Sequence, residues 1–321
     1  MAPKVPLVRA RSRPSTQPLA AATEAERGRM SVLRTPKLYI AGAFPRTESA
    51  RTYLVTAPDG TTPLANACRA SRKDVRDAVR AARAAQRGWE ARTAMNRGQV
   101  LYRVAEILEG RRTQLVDEVA AAESVRVDLA RSLVGRAIDR WVWYAGWTDK
   151  VAQVLGTVNP VAAPFFNFTF PEPTGVVGLV APQASSFLGL VSRLAPVLVT
   201  GNAVVVLASE ARPLPAVTLG EALATSDVPP GVVNILTGLT AELAPALAGH
   251  DDVDALDAWG VADADLAAIE ESAADNVKRV ARRPRGVVDD KFDWLDDRAA
   301  ERLEWIAAFT EAKTVWHPVG T

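Results

Sequence analysis

Val176-Val177-Gly178-Leu179-Val180-Ala181 is an unbroken apolar run, and a helix-patterned stretch from Phe187 to Val199 follows it directly. The unit then repeats. Ala203 to Leu207 reads as a strand, and Pro213 to Thr225 as a helix with proline near its first turn. Val232 to Leu236 pairs in the same way with Ala241 to Ala248, and Val253 to Trp259 with Asp263 to Asn276, before a last strand at Val277 to Ala281. Strands that are apolar throughout, alternating with helices, predict a parallel, doubly wound α/β sheet of Rossmann type.

Upstream, Leu38 to Gly42 and Thr52 to Val55 look like short strands, with a turn signal at Pro58-Asp59-Gly60. Ser71 is placed to cap a helix with Asp74 as its reciprocal partner, and Val75, Ala78, Val79 and Ala82 form the apolar stripe. Further helices are expected from near Thr93 to Gly110, from Thr113 to about Glu123, and from about Asp128 to Gln153. Trp141, Trp143, Tyr144 and Trp147 on the last of these read as core packing rather than a platform for stacked bases. The aromatic run Phe165-Phe166-Asn167-Phe168-Thr169-Phe170 suits a β-arm. The expected organisation is a disordered tail over 1–36, a helical part over 37–155, a β-arm over 156–174, the Rossmann-like domain over 175–285, and a linker helix with a terminal strand over 286–321.

Composition excludes several classes. A formal net charge of +1 offers no field for nucleic acid or an acidic membrane, and 48% hydrophobic with 23% charged residues is ordinary for a globular protein. The longest apolar stretch, Leu194 to Ala208, is interrupted by Pro196, Gly201 and Asn202 and is too short for a bilayer, so a cytoplasmic location is expected. One cysteine, Cys68, excludes an intrachain disulfide, and two distant histidines, His250 and His317, give no metal-ligand spacing, so no metal is expected. The first 36 residues are rich in Arg, Ala, Pro and Ser, with Met30 an alternative start.

Glu172-Pro173-Thr174-Gly175-Val176-Val177-Gly178, Leu194-Ala195-Pro196, Gly201-Asn202-Ala203-Val204-Val205 and Pro229-Pro230-Gly231-Val232-Val233-Asn234 occur in an order and spacing that resemble the aldehyde dehydrogenase superfamily. Tyr144 to Lys150 resembles the helix before that family's oligomerisation arm, and Lys313-Thr314-Val315-Trp316 its C-terminal strand. The resemblance implies a cofactor site at Pro182, Gln183, Leu207, Ser209, Glu210, Gly238 and Gly260, and it also shows what has changed. Where the family reads Pro-Trp-Asn-Phe-Pro, this chain reads Pro182-Gln183-Ala184-Ser185-Ser186, so Ala184 replaces the Asn that stabilises the oxyanion. Loss of one such donor typically costs roughly a hundred- to a thousandfold in rate. Gln183 could substitute only in a reshaped loop.

The family's Lys-Pro-(Ser/Ala)-Glu, whose Lys and Glu grip the adenosine ribose, becomes Leu207-Ala208-Ser209-Glu210. Glu210 can still accept ribose hydroxyl protons, or simply serve as a helix-start charge; NAD is expected to bind weakly and NADP to be disfavoured. Phe-Thr-Gly-Ser becomes Ala258-Trp259-Gly260-Val261, which degrades phosphate contacts and brings an indole into the cleft. The family's general-base Glu falls at about Arg283, and only residues 284–312 stand before the C-terminal-like strand, where a domain with the nucleophilic Cys would lie. Thiolate, oxyanion donor and base are missing, so catalytic residues are expected to be none.

The remaining candidates have bland readings. Cys68 reads as a semi-buried structural residue, His250 as a loop or cap histidine, and Asp289, Asp290, Asp293, Asp296 and Asp297 as a solvated acidic face without EF-hand spacing. In the family, arm and terminal strand pair with a sheet in a partner's catalytic domain. A homodimer of this chain would offer no such domain, and would leave Phe165–Phe170 and Thr310–Trp316 as exposed apolar edges. The expected partner is therefore a full-length aldehyde dehydrogenase, with a residual NAD-binding protein and a homo-oligomer as the alternatives.

Overall fold

A hairpin, β1 (Thr52–Thr56) and β2 (Pro63–Cys68), leads into the first helix in the computed structural model, which describes residues 32–319. Most of the tail expected over 1–36, Met30 included, lies outside those residues. By Arg34 the backbone is engaged, its carbonyl accepting from the Asn66 amide at 2.8 Å. The strand expected over 38–42 reduces to isolated bridges, Tyr39 to Ile235 and Ile40 to Ala43. The reason is a turn: Ala41 and Gly42 take φ of 52° and 76°, and a Cβ on Gly42 would lie 2.8 Å from the Pro230 Cβ.

Helix α1 (Arg72–Glu90) begins with the expected capping box, in which Asp74 Oδ2 accepts from the Ser71 amide at 2.7 Å. Helices α2 (Ala94–Gly110), α3 (Arg112–Glu123) and α4 (Val127–Ala145) follow. The fourth does not reach Gln153. Gly146 closes it, a turn intervenes, and α5 (Val151–Leu155) starts separately.

Strands β3 (Thr157–Asn159) and β4 (Phe165–Pro173) belong to a small second sheet. The main sheet is β5 (Val176–Val180), β6 (Ala203–Leu207), β7 (Val233–Leu236), β8 (Ala255–Asp257) and β9 (Arg279–Ala281), all parallel, in the order β7-β6-β5-β8-β9. Helices α6 (Leu188–Leu198), α7 (Leu214–Ala224), α8 (Thr240–Ala248) and α9 (Asp263–Ala274) alternate with these strands. The strand period of two splits the core into two layers. Val177, Leu179, Val204 and Val206 pack with α2, α3, α4, α6 and α7, and include Trp141 and Tyr144 among their neighbours. Val176, Val180, Val205 and Leu207 face α1 and α8.

After β9 no single linker helix forms. Residues 284–309 make a 3-10 turn at Asp289–Lys291 and two short helices, α10 (Asp297–Ala300) and α11 (Leu303–Ala307). They bury Trp294, Ala300, Trp305, Ile306 and Phe309 against the main core. Arg140, wholly buried on α4, holds them there: it donates to the Trp294 carbonyl (3.1 Å), the Ala300 carbonyl (2.7 Å) and Asp297 Oδ1 (3.0 Å).

Strand β10 (Thr310–Pro318) then pairs antiparallel with β4 along its whole length, from Thr310 opposite Pro173 to Pro318 opposite Phe165, and β3 takes the other edge of β4. The two segments expected as exposed apolar edges thus pair with each other, while Phe165, Phe166 and Trp316 stay exposed. The two strands satisfy each other's backbone groups within one chain, and β10 keeps only its outer edge open.

Candidate functional site

The order β7-β6-β5-β8-β9 reverses between β5 and β8, which places the ligand crevice of such a sheet beyond their carboxyl ends. Two loops meet there. The Gly260 amide donates to the Val180 carbonyl at 2.9 Å, and a Cβ on Gly260 would stand 1.9 Å from the Ala181 oxygen. Only glycine permits that approach.

The chain's own groups take up one side of the crevice. Asp289 reaches in from the 3-10 turn, its Oδ2 accepting from the amides of Gln183 (2.7 Å) and Ala184 (3.0 Å) and its Oδ1 from Trp259 Nε1 (2.7 Å). A carboxylate thus occupies the paired N–H groups at the turn where the oxyanion donor was sought. Trp259, 1% exposed, packs within ring-centroid distances of 4.9 Å of Trp294 and 5.1 Å of Phe292. The indole expected in the cleft packs into the main core instead, and Trp259 is not among the residues that line the open cavity. The acidic cluster is solvated only in part: Asp290, Asp293 and Asp296 are exposed as expected, whereas Asp289 bonds the turn amides and Asp297 pairs with Arg136 and Arg140.

Beneath the indole lies a buried ion pair. Arg193 Nε donates to Asp257 Oδ2 at 2.8 Å, and its guanidinium stacks 5.0 Å from the Trp259 ring and 4.4 Å from the Trp305 ring. Burial pushes the Asp257 carboxyl above the ordinary carboxylate range, against the opposing pull of Arg193. Arg283, where a carboxylate base was sought, donates to the Trp259 carbonyl at 3.0 Å and pairs with Asp263. It fastens the loop.

The rest of the crevice is an open cavity of about 800 Å³, bounded by the loops after β5, β6 and β8, the β1–β2 hairpin, the start of α8 and the start of α9. Of the cofactor residues expected from sequence, Gln183, Glu210 and Gly260 line it. Pro182, Leu207, Ser209 and Gly238 are buried and are not among the lining residues. Leu207 belongs to the core layer facing α1, and Ser209 Oγ donates to the Gln183 carbonyl at 3.0 Å. Gly238 serves the turn after β7, where a Cβ would meet Leu243 at 2.8 Å. The Gln183 side chain is no spare donor, since Nε2 donates to the Ala181 carbonyl (2.7 Å) and Oε1 accepts from the Glu210 amide (2.9 Å). Glu210 is both in the cavity and at a helix start, its Oε2 accepting from the Thr240 amide at 2.8 Å.

Sequence reasoning missed Arg212 and Asp265, which also line the cavity, and the hairpin wall from Tyr53 to Gly60. Cys68 is more buried than expected, at 1% exposed at the end of β2. His250 is the loop residue expected: its Nδ1 accepts from the Asp252 amide at 3.1 Å, and burial lowers its proton affinity. Among the described residues no cluster of three His, Cys, Asp or Glu could hold a metal, and no helix is long and apolar enough to cross a membrane.

The model of the aldehyde dehydrogenase family matches residues 44–283. The chain belongs to the aldehyde dehydrogenase family. It is 33% identical over 248 residues to cytosolic aldehyde dehydrogenase 1 of Elephantulus edwardii, covering 76% of this chain and 49% of that protein. To the mitochondrial aldehyde dehydrogenase of Rattus norvegicus it is 32% identical over 270 residues, covering 78% and 50%. Among solved structures, HpcC of Thermus thermophilus superposes with a TM-score of 0.74 at 29% identity, over 78% of this chain and 48% of that one. The NAD+ complex of aldehyde dehydrogenase from Bacillus cereus gives 0.71 at 26% identity, over 78% and 50%. The chain spans about half the length of the curated relatives it matches.

Proposed function

We propose that the chain is a non-catalytic, cytoplasmic member of its family that docks on a full-length aldehyde dehydrogenase and stabilises or regulates it. Asp289 carries the first half of this reading. Its carboxylate holds both backbone N–H groups after β5 and the Trp259 indole, so a substrate oxygen meets no donor there. The single cysteine lies buried on β2 and is not among the residues that line the crevice. The small sheet supports the second half. Phe166 (46% exposed) and Val158 (68%) stand on its surface with Trp316 (57%), and the outer edge of β10 is open. Exposed aromatics beside an open strand edge are what a protein interface covers.

Affinity capture of the chain from its native lysate, with mass spectrometry of the eluate, tests the association. A full-length aldehyde dehydrogenase at stoichiometric level is expected. Elution as a monomer or a homo-oligomer alone would overturn it.

A second reading is favoured by the open cavity with Glu210 on its wall: a cofactor-derived ligand, of which NAD is the family's example, still binds there. The residues fit the whole dinucleotide poorly, because Asp289 takes the amides of Gln183 and Ala184 after β5.

A further inference from the structure

We propose that the outer face of α1 is a docking surface for an acidic helix of another protein, separate from the small sheet. Helix α1 carries Arg72, Arg76, Arg80, Arg83 and Arg87 at steps of four, four, three and four residues. At 3.6 residues per turn these five fall within an arc of about 80° and run for about 22 Å along the helix. Lys73 flanks the first of them. Arg83 is half-buried and the others are exposed, while Val75, Ala78, Val79, Ala82 and Trp89 sink the opposite face into the core.

The stripe works against the helix that bears it. Arg72 and Lys73 occupy the first turn, where the helix dipole disfavours positive charge. Arginines three and four residues apart also repel along the face. The chain answers only part of this: Lys73 pairs with Glu48 (3.3 Å), Arg76 with Asp77 (3.3 Å) and Arg83 with Asp254 (2.6 Å). Among the described residues no carboxylate pairs with Arg72, Arg80 or Arg87. Charge set against local preference, with no compensating contact inside the chain, belongs to a functional surface.

Spacing and residue type select the occupant. Carboxylates three and four residues apart on a second helix repeat at the same step, so two helices lying side by side bring an acid to each guanidinium, turn by turn. Arginine, unlike lysine, holds a carboxylate through two parallel N–H bonds. Nucleic acid fits less well. The only aromatic of α1, Trp89, is wholly buried and offers no base a stacking partner, and a net charge of +1 supplies no long-range pull. An acidic membrane also fits less well, because the apolar face of α1 is spent on the core and cannot insert.

Fluorescence anisotropy of a labelled helical peptide of about 20 residues, titrated with the whole chain, tests this. The peptide carries Glu at the arginines' own steps in an alanine-rich background, and a control of the same composition has its Glu spread round the helix. The aligned peptide should bind about tenfold more tightly than the control at low salt and weaken as salt is raised. Combining Arg72→Gln, Arg80→Gln and Arg87→Gln should cost about tenfold in that binding, with thermal unfolding unchanged or raised because like charges are removed. Equal binding of the two peptides, tighter binding of a DNA duplex or of phosphatidylserine vesicles, or no binding at all overturns the proposal. So does a triple variant that unfolds at lower temperature, which would assign the arginines to the fold instead.

Discussion

Asp289 is held by three N–H donors, and removing it leaves all three without an acceptor in a half-buried place. Asp289→Ala should cost about 2 kcal/mol in urea unfolding, the penalty for polar groups stripped of partners. The Arg193–Asp257 pair is more deeply buried, at 3% and 0% side-chain exposure. Arg193→Met strands a buried carboxylate and should cost about 3–5 kcal/mol. Its pH dependence has a definite sign. Asp257 is already raised by burial, and losing Arg193 raises it further, so the folded variant binds its proton more tightly than the unfolded chain. The variant should be nearest to wild type below the ordinary Asp range, about pH 4, and lose stability as pH climbs through the raised folded value. Denaturant melts at pH 4.5 and 8 check this; a deficit that shrinks towards pH 8 contradicts it. At this scale the sequence displayed the losses, since Ala184 and Leu207 stand inside motifs of the family and Arg283 stands about where its base falls. It did not display the replacement. Asp289 meets Gln183 across more than a hundred residues of chain, and an acidic run without ligand spacing reads as solvated.

Elements were legible where a local pattern determined them. Strands apolar on both faces and the Ser71–Asp74 box gave the sheet and α1 directly. What stayed hidden depends on tertiary partners. The short helices of residues 284–309 have little pattern of their own and exist because Trp294, Trp305 and Phe309 find a core face and Arg140 finds their carbonyls. Pairing of β4 with β10 likewise joins segments far apart in sequence. Arg140→Met should therefore loosen one region first. We expect a loss of about 3 kcal/mol and a red shift of tryptophan emission as Trp294 and Trp305 gain water. Unchanged emission with unchanged stability would mean that Arg140 does not hold the segment.

On the scale of the whole molecule, the parallel sheet is intact while the turn amides after β5 are taken by the chain's own Asp289. What remains open is a cavity to one side and a small sheet with exposed aromatics. Family and fold could be read from motif order; the cavity's walls could not, because the hairpin and α9 enter it only through folding. The most direct measurement is NADH formation by the purified chain at saturating NAD with propanal or benzaldehyde as substrate. No NADH above the protein-free blank is the predicted result. Turnover that scales with the concentration of the chain would contradict a turn whose donors are taken by Asp289.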